Sequence, residues 1–219
     1  MRFRLPLLLL AAGRLHAGVD ISRVPDSWTP TPPPPAAVEV YRKADMTCEA
    51  FFTRKDGNAT LVYNSRKPTW NFDQSSCQGA IQGLIDGFAE AGSKRGRPAG
   101  KNEVIHTDGL ELVCQEFDQA QYRTTILTQL TPSKLEQVTI TYPPAERETA
   151  VKLATGLFTA VPPPPASKSS SKFDEGFRTG KVLGRLTAYL AIAGVVAAVI
   201  IISLLQKKRR RASTPPPLP

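Results

Sequence analysis

The sequence predicts an α+β domain: an antiparallel sheet with two amphipathic helices on one face, plus a signal peptide and one C-terminal transmembrane helix. Three observations carry this. Stretches of alternating apolar and polar residues are joined by Asp-Gly pairs. Two further stretches repeat apolar residues at helical spacing. Both ends of the chain hold an uncharged apolar run beside clustered cations.

The leader comes first. Met1-Arg2-Phe3-Arg4 is a positive start, and Leu5 to Ala12 is a short apolar run. Leu15-His16-Ala17 offers a small residue for cleavage, so residues 1–17 read as a signal peptide cut after Ala17. The apolar run is too short to span a bilayer. Residues 18–36 contain Thr29-Pro30-Thr31 and four further prolines to Pro35, and read as a proline-rich linker.

The folded unit is expected over residues 37–161. Met46, Cys48, Ala50 and Phe52 alternate with more polar neighbours up to Asp56-Gly57, a two-residue turn signal. A hairpin there pairs Phe52 with Leu61, Ala50 with Tyr63 and Thr53 with Thr60. A helix follows over about Ser76 to Ala91, with Ser75 and Gln78 resembling a capping box. Its apolar stripe is Cys77, Ala80, Ile81, Leu84, Ile85 and Phe88, and Gly79, Gly83 and Gly87 recur beside it. Three glycines weaken a helix, so their spacing points to close approach by another element.

Asp108-Gly109 marks a second hairpin, joining 103–107 to 110–117. Tyr122–Leu130 and Leu135–Tyr142 alternate as strands. Pro143-Pro144, with Glu146 and Glu148, opens a second helix whose stripe is Val151, Ala154, Leu157, Phe158 and Val161. Cys48-Glu49-Ala50-Phe51 and Cys114-Gln115-Glu116-Phe117 share a spacing that suggests a degenerate duplication.

Residues 162–185 open with Pro162–Pro165 and Ser167-Lys168-Ser169-Ser170-Ser171, and read as a juxtamembrane linker. Residues 186–205 carry no charge. At ~1.5 Å per residue they reach ~30 Å, the thickness of a hydrocarbon core. Lys207-Lys208-Arg209-Arg210-Arg211 stop the transfer and hold the tail, residues 206–219, in the cytoplasm. The formal net charge of +9 belongs mostly to these ends. Without the three leader arginines and the five stop-transfer cations, 20 basic residues face 19 acidic ones. The basic balance therefore argues for targeting and not for a nucleic-acid partner.

Cys48, Cys114 and Cys77 all fall on apolar faces, towards one expected core. In an oxidising compartment two of the three would bond, with Cys48–Cys114 the favoured pairing and Cys77 the leftover thiol. A leftover exported thiol is also able to link two chains into a homodimer. A catalytic cysteine needs a base, and the mature chain offers only His106. The second hairpin pairs His106 with Glu111 and Cys114 with Glu103, on opposite faces, so no dyad forms. No metal or cofactor motif is present, and no cofactor is expected.

Four shorter signals remain. Lys94, Arg95, Arg97 and Lys101 make a basic loop suited to an anionic surface, lipid or polysaccharide. Its Arg95-Gly96-Arg97-Pro98 resembles the core of an AT-hook, but export would keep it from DNA. Asn58-Ala59-Thr60 is a glycosylation sequon. Ser213, after three arginines, suits a basophilic kinase, and Pro215–Pro219 suits a proline-recognition groove. The function expected is a non-enzymatic, single-pass extracytoplasmic domain that binds or assembles a protein partner at the bilayer. The alternatives are a tethered enzyme with a site not legible in sequence, and a polyanion-binding module.

Overall fold

The computed structural model describes residues 18–67, 72–93, 99–107, 109–119, 121–132, 134–161, 166 and 171–189. The expected signal peptide, residues 190–205 of the expected span and the tail lie outside the described residues. Among the described residues no helix is long and apolar enough to cross a membrane.

Seven strands form one antiparallel sheet. They are β1 (Trp28–Pro30), β2 (Thr47–Arg54), β3 (Thr60–Arg66), β4 (Ala99–Thr107), β5 (Leu110–Gln119), β6 (Tyr122–Thr131) and β7 (Lys134–Tyr142), in the order β1-β2-β3-β7-β6-β5-β4. The first hairpin pairs Phe52 with Leu61, Ala50 with Tyr63 and Thr53 with Thr60, as expected. Gly57 takes φ 75° at its turn, which only glycine adopts freely. The second hairpin pairs His106 with Glu111 and Cys114 with Glu103, also as expected. The return strand β7 inserts beside β3, pairing Leu61 with Ile140 and Tyr63 with Val138.

Four helices cover the sheet: α1 (Pro35–Lys43), α2 (Gln74–Ser93), α3 (Arg147–Gly156) and α4, described over 171–189. They do not share one face, and here the expectation is corrected. The strands are apolar on both sides. In β6, for example, the adjacent residues Ile126 and Leu127 are both buried. A sheet dry on both faces needs cover on both. On one face Phe52, Leu61, Leu127, Val138 and Ile140 pack with Ala150 and Ala154 of α3 and with Leu157 just after it. On the other, Phe51, Val62 and Leu135 pack with Tyr41 of α1, Leu84 of α2 and Leu183 of α4. Phe117 and Ile126 extend that side against Phe88, Ala91 and Ala188.

The two segments read as linkers contain folded structure. Between residues 18 and 36, Val19 bridges Phe158, β1 adds to the edge of β2, and Trp28 is buried in the α3-side core. The last proline of the run, Pro35, begins α1, where its missing N–H is not needed. Between 162 and 185, helix runs from residue 171 onward. The cap of α2 also differs from the sequence reading. Asp73 Oδ1 accepts from the Ser76 amide at 2.9 Å and from its hydroxyl at 2.8 Å, so Asp73 takes the capping role assigned to Ser75.

Candidate functional site

A close backbone approach joins α2 to α4. Gly79, Gly83 and Gly87 of α2 face Gly176, Gly180 and Gly184 of α4, and the two helices run parallel. A Cβ on Gly176 would lie 2.8 Å from Ser76 Cα, on Gly180 2.7 Å from Ala80 Cα, and on Gly184 2.9 Å from the Phe88 nitrogen. Reciprocally, a Cβ on Gly79 would lie 2.9 Å from the Phe177 nitrogen and on Gly83 2.7 Å from the Lys181 nitrogen. Each backbone thus sits in the groove left by the other's missing side chains. Small residues every fourth position permit this approach, and the gain is dispersion between backbones.

Charge fixes the register of the pair. Lys172 Nζ lies 2.9 Å from Asp73 Oδ2 at the start of the seam. At its far end Glu90 Oε2 lies 2.6 Å from Arg185 Nη2 and 3.3 Å from Lys181 Nζ. Glu90 is therefore a seam residue. Beyond the glycines α4 still rests on the domain: Gln137 Nε2 donates to Thr187 Oγ1 at 3.1 Å, and Ala188 is buried against Phe88. The first four residues of the expected span, 186–189, are thus helical and lie against the folded unit.

A second feature lies on the α3 face. Glu136 is 1% exposed. Its Oε1 accepts from Tyr63 Oη and from Lys134 Nζ, both at 2.6 Å. Its Oε2 is buried and has no hydrogen-bond partner among the described residues. The cross-strand neighbour Gln129 donates to the Thr159 carbonyl at 3.3 Å, while its own Oε1 is likewise unpartnered. Burial, then the bond to Glu136, raises the Tyr63 phenol well above its usual range. Gly18 lies against this carboxylate: with φ 138°, a Cβ there would stand 2.6 Å from Glu136 Cδ.

None of the three cysteines is in a disulfide, so the expected Cys48–Cys114 bond is absent. The reason is a bulge in β2 between Cys48 and Ala50. It turns Cys48 opposite Asn64, onto the α2 side, whereas Cys114 stays with Leu127 on the α3 side. Cys77 packs with Phe72 and Ala80 in a separate cluster. The shared Cys-x-x-Phe spacing accordingly does not superpose, because one copy spans a bulge. Burial, then Glu49, pushes the Cys48 thiol up to about 11; burial, then Asp73 and Glu111, does the same for Cys77. Both are protonated near neutrality and are weak nucleophiles. Alkylation of the folded protein at pH 8 is expected to leave Cys48 and Cys77 unmodified, with labelling only after denaturation. Peptide mass spectrometry checks this, and fast labelling of either at pH 8 would contradict the burial described.

The other predicted residues are scattered. His106 and Glu111 are exposed partners at the far hairpin. Asn58 is half-buried beside the first turn, its amide bonded to Asp56 Oδ1 at 2.9 Å, and Thr60 of the sequon is buried in β3. Lys94, Arg95, Arg97 and Ser213 lie outside the described residues, and Lys101 is placed only as backbone in β4. What sequence reading missed was the second glycine series. Gly176, Gly180 and Gly184 repeat the spacing of Gly79, Gly83 and Gly87 and were the available signal.

No family model matches the chain, and no curated protein matches it. Among solved structures, the solution structure of cyanobacterial PsbP (CyanoP) from Synechocystis sp. shares 12% identity at a TM-score of 0.43, covering 68% of this chain and 95% of that one. LpqN, described as involved in cell envelope biogenesis of Mycobacterium tuberculosis, shares 14% at 0.38, covering 61% and 76%. A crystal structure from Bacteroides thetaiotaomicron shares 9% at 0.37. The match covers 63% of this chain and less than half, 43%, of the Bacteroides chain.

Proposed function

We propose that this chain is an extracytoplasmic, non-enzymatic domain that binds or assembles a protein partner, held in a fixed pose on a single membrane helix. The observation that carries this reading is the seam. α4 is fastened along α2 by six glycines and closed by ion pairs at both ends, and it leads into the uncharged run that ends at Leu205. A flexible tether would let the domain tumble. A helix locked into the core transmits one orientation to the membrane, which suits a subunit that presents a particular surface.

The same geometry bounds the anchor. With 186–189 held by the domain, residues 190–205 reach only ~24 Å at helical rise. That is less than a typical hydrocarbon core, so the base of the domain would sit at the headgroup level. Tyr189, 47% exposed and the last described residue of α4, is a residue type favoured at that depth.

Native membranes washed in alkaline carbonate are expected to retain the chain, and external protease to release the folded domain. Crosslinking in those membranes is expected to recover one protein partner at near-stoichiometric yield. Extraction by carbonate would remove the tether from this reading. Reproducible recovery of the chain alone would remove the partner.

A further inference from the structure

Beside Gly18, Glu136 Oε2 has no hydrogen-bond donor among the described residues. Glu136 Oε2 and Gln129 Oε1 are both buried acceptors, on residues 1% and 5% exposed. Buried acceptors of this kind are costly unless paired, and a half-paired carboxylate more so. Gly18 is clamped between the Glu136 carboxylate and the chain that follows α3. Its N–H donates to Thr159 Oγ1 at 2.9 Å, and its carbonyl accepts from the Thr159 amide at 2.7 Å and hydroxyl at 2.8 Å. The amide nitrogen shares its Cα with the point that would overlap the Glu136 carboxyl group, so it lies close to that carboxylate. As a peptide nitrogen it has one proton, and Thr159 takes it.

We infer that Gly18 is the N-terminus of the mature protein and that its α-ammonium is bound by Glu136 and Thr159. The step is hydrolysis of the Ala17–Gly18 amide by an export-pathway peptidase. Water adds across the bond, leaving a carboxylate on Ala17 and an ammonium on Gly18. The nitrogen then carries three protons and a positive charge. One proton keeps Thr159, and the others, with the charge, supply the donor that Glu136 Oε2 lacks. Processing therefore completes a buried ion pair, and the fold reads whether its leader has been removed. Glycine is required at this position because a side chain would occupy the carboxylate's place. This inference rests on export of the domain but not on the membrane tether.

The test uses the full chain purified from the membranes of a host that exports it. N-terminal sequencing is expected to begin at Gly18. Brief acylation of the folded protein with an amine-reactive ester, read by mass spectrometry, then reports the free amine. An opposite charge within 4–6 Å holds an amine protonated, so Gly18 is expected to label about ten-fold more slowly than in Glu136→Gln. An alanine inserted before Gly18, which moves the amine away while leaving every buried side chain in place, is expected to label as fast as Glu136→Gln. Protection restored to the ten-fold level only in the unaltered chain supports the pairing. A mature end other than Gly18, or equal labelling of the unaltered and inserted chains, overturns it. Carbonate extraction of a chain that begins at Gly18 and is protected would count against the tether alone.

Discussion

Leucine in place of Gly180 is expected to destabilise the domain by about 3 kcal/mol, the upper range for forcing bulk into a packed site. Helix propensity alone predicts the opposite sign, since removing glycine from a helix gains up to about 1 kcal/mol. The seam decides the outcome. Even a Cβ at Gly180 would stand 2.7 Å from Ala80 Cα, and the neighbour is backbone, which has no rotamer to yield. The helices must separate, and with them go the Lys181 and Arg185 pairs to Glu90 and the burial of Leu183, Thr187 and Ala188. Gly156→Ala is the control, because nothing lies within 4 Å of a Cβ there. It is expected to be neutral or slightly stabilising. Urea unfolding in mild detergent measures both, and hydrogen exchange over residues 171–189 locates the loss. A Gly180→Leu chain with an unchanged midpoint and slow exchange would show that α4 does not pack on α2.

The second large effect is expected at Arg147. Its Nε lies 2.9 and 3.3 Å from the two oxygens of Glu116, which is 2% exposed on the α3 face. Among the described residues, Arg147→Leu leaves that carboxylate buried with only the Thr125 hydroxyl, at 3.3 Å, to meet it. Stranding a buried charge costs about 3 kcal/mol, near the low end of the range because the arginine is itself partly exposed. Adding Glu116→Gln to Arg147→Leu is expected to restore most of the loss, since the amide carries no charge to strand. Thermal unfolding of the three chains measures this. A double variant as unstable as Arg147→Leu would mean that the arginine's aliphatic packing, and not the charge pair, holds α3.

The parts of the fold that were legible were local. Asp56-Gly57 set the register of one hairpin and Gly109 marked the other, because a two-residue turn leaves the flanking side chains a single consistent alternation. The apolar stripes of α2 and α3 were equally plain. What local pattern could not supply was the side of the sheet each helix takes. Cys48 shows the reason on a small scale: one bulged residue reverses its face without a mark in the alternation before it. The edge strand Trp28–Pro30 was hidden by prolines that suit a linker as well as a sheet edge. Likewise α4 begins in serine and lysine, and its glycines are unfavourable for an isolated helix. Only the matching series in α2 makes them favourable, and that match lies ~100 residues away between Ser76 and Gly176.

That separation also governs when the protein becomes complete. A chain ending at Val161 already contains all seven strands and every pairing of the sheet. It would still carry a bare groove along Gly79, Gly83 and Gly87, next to Leu84 and Phe88, with nothing to fill it. Such high contact order makes closure slow, and an intermediate with an uncovered apolar helix is prone to associate with its own kind. Fragments cut before residue 171 are therefore poor stand-ins for the domain, and α4, made after the whole sheet, is the helix that makes the earlier structure safe from aggregation.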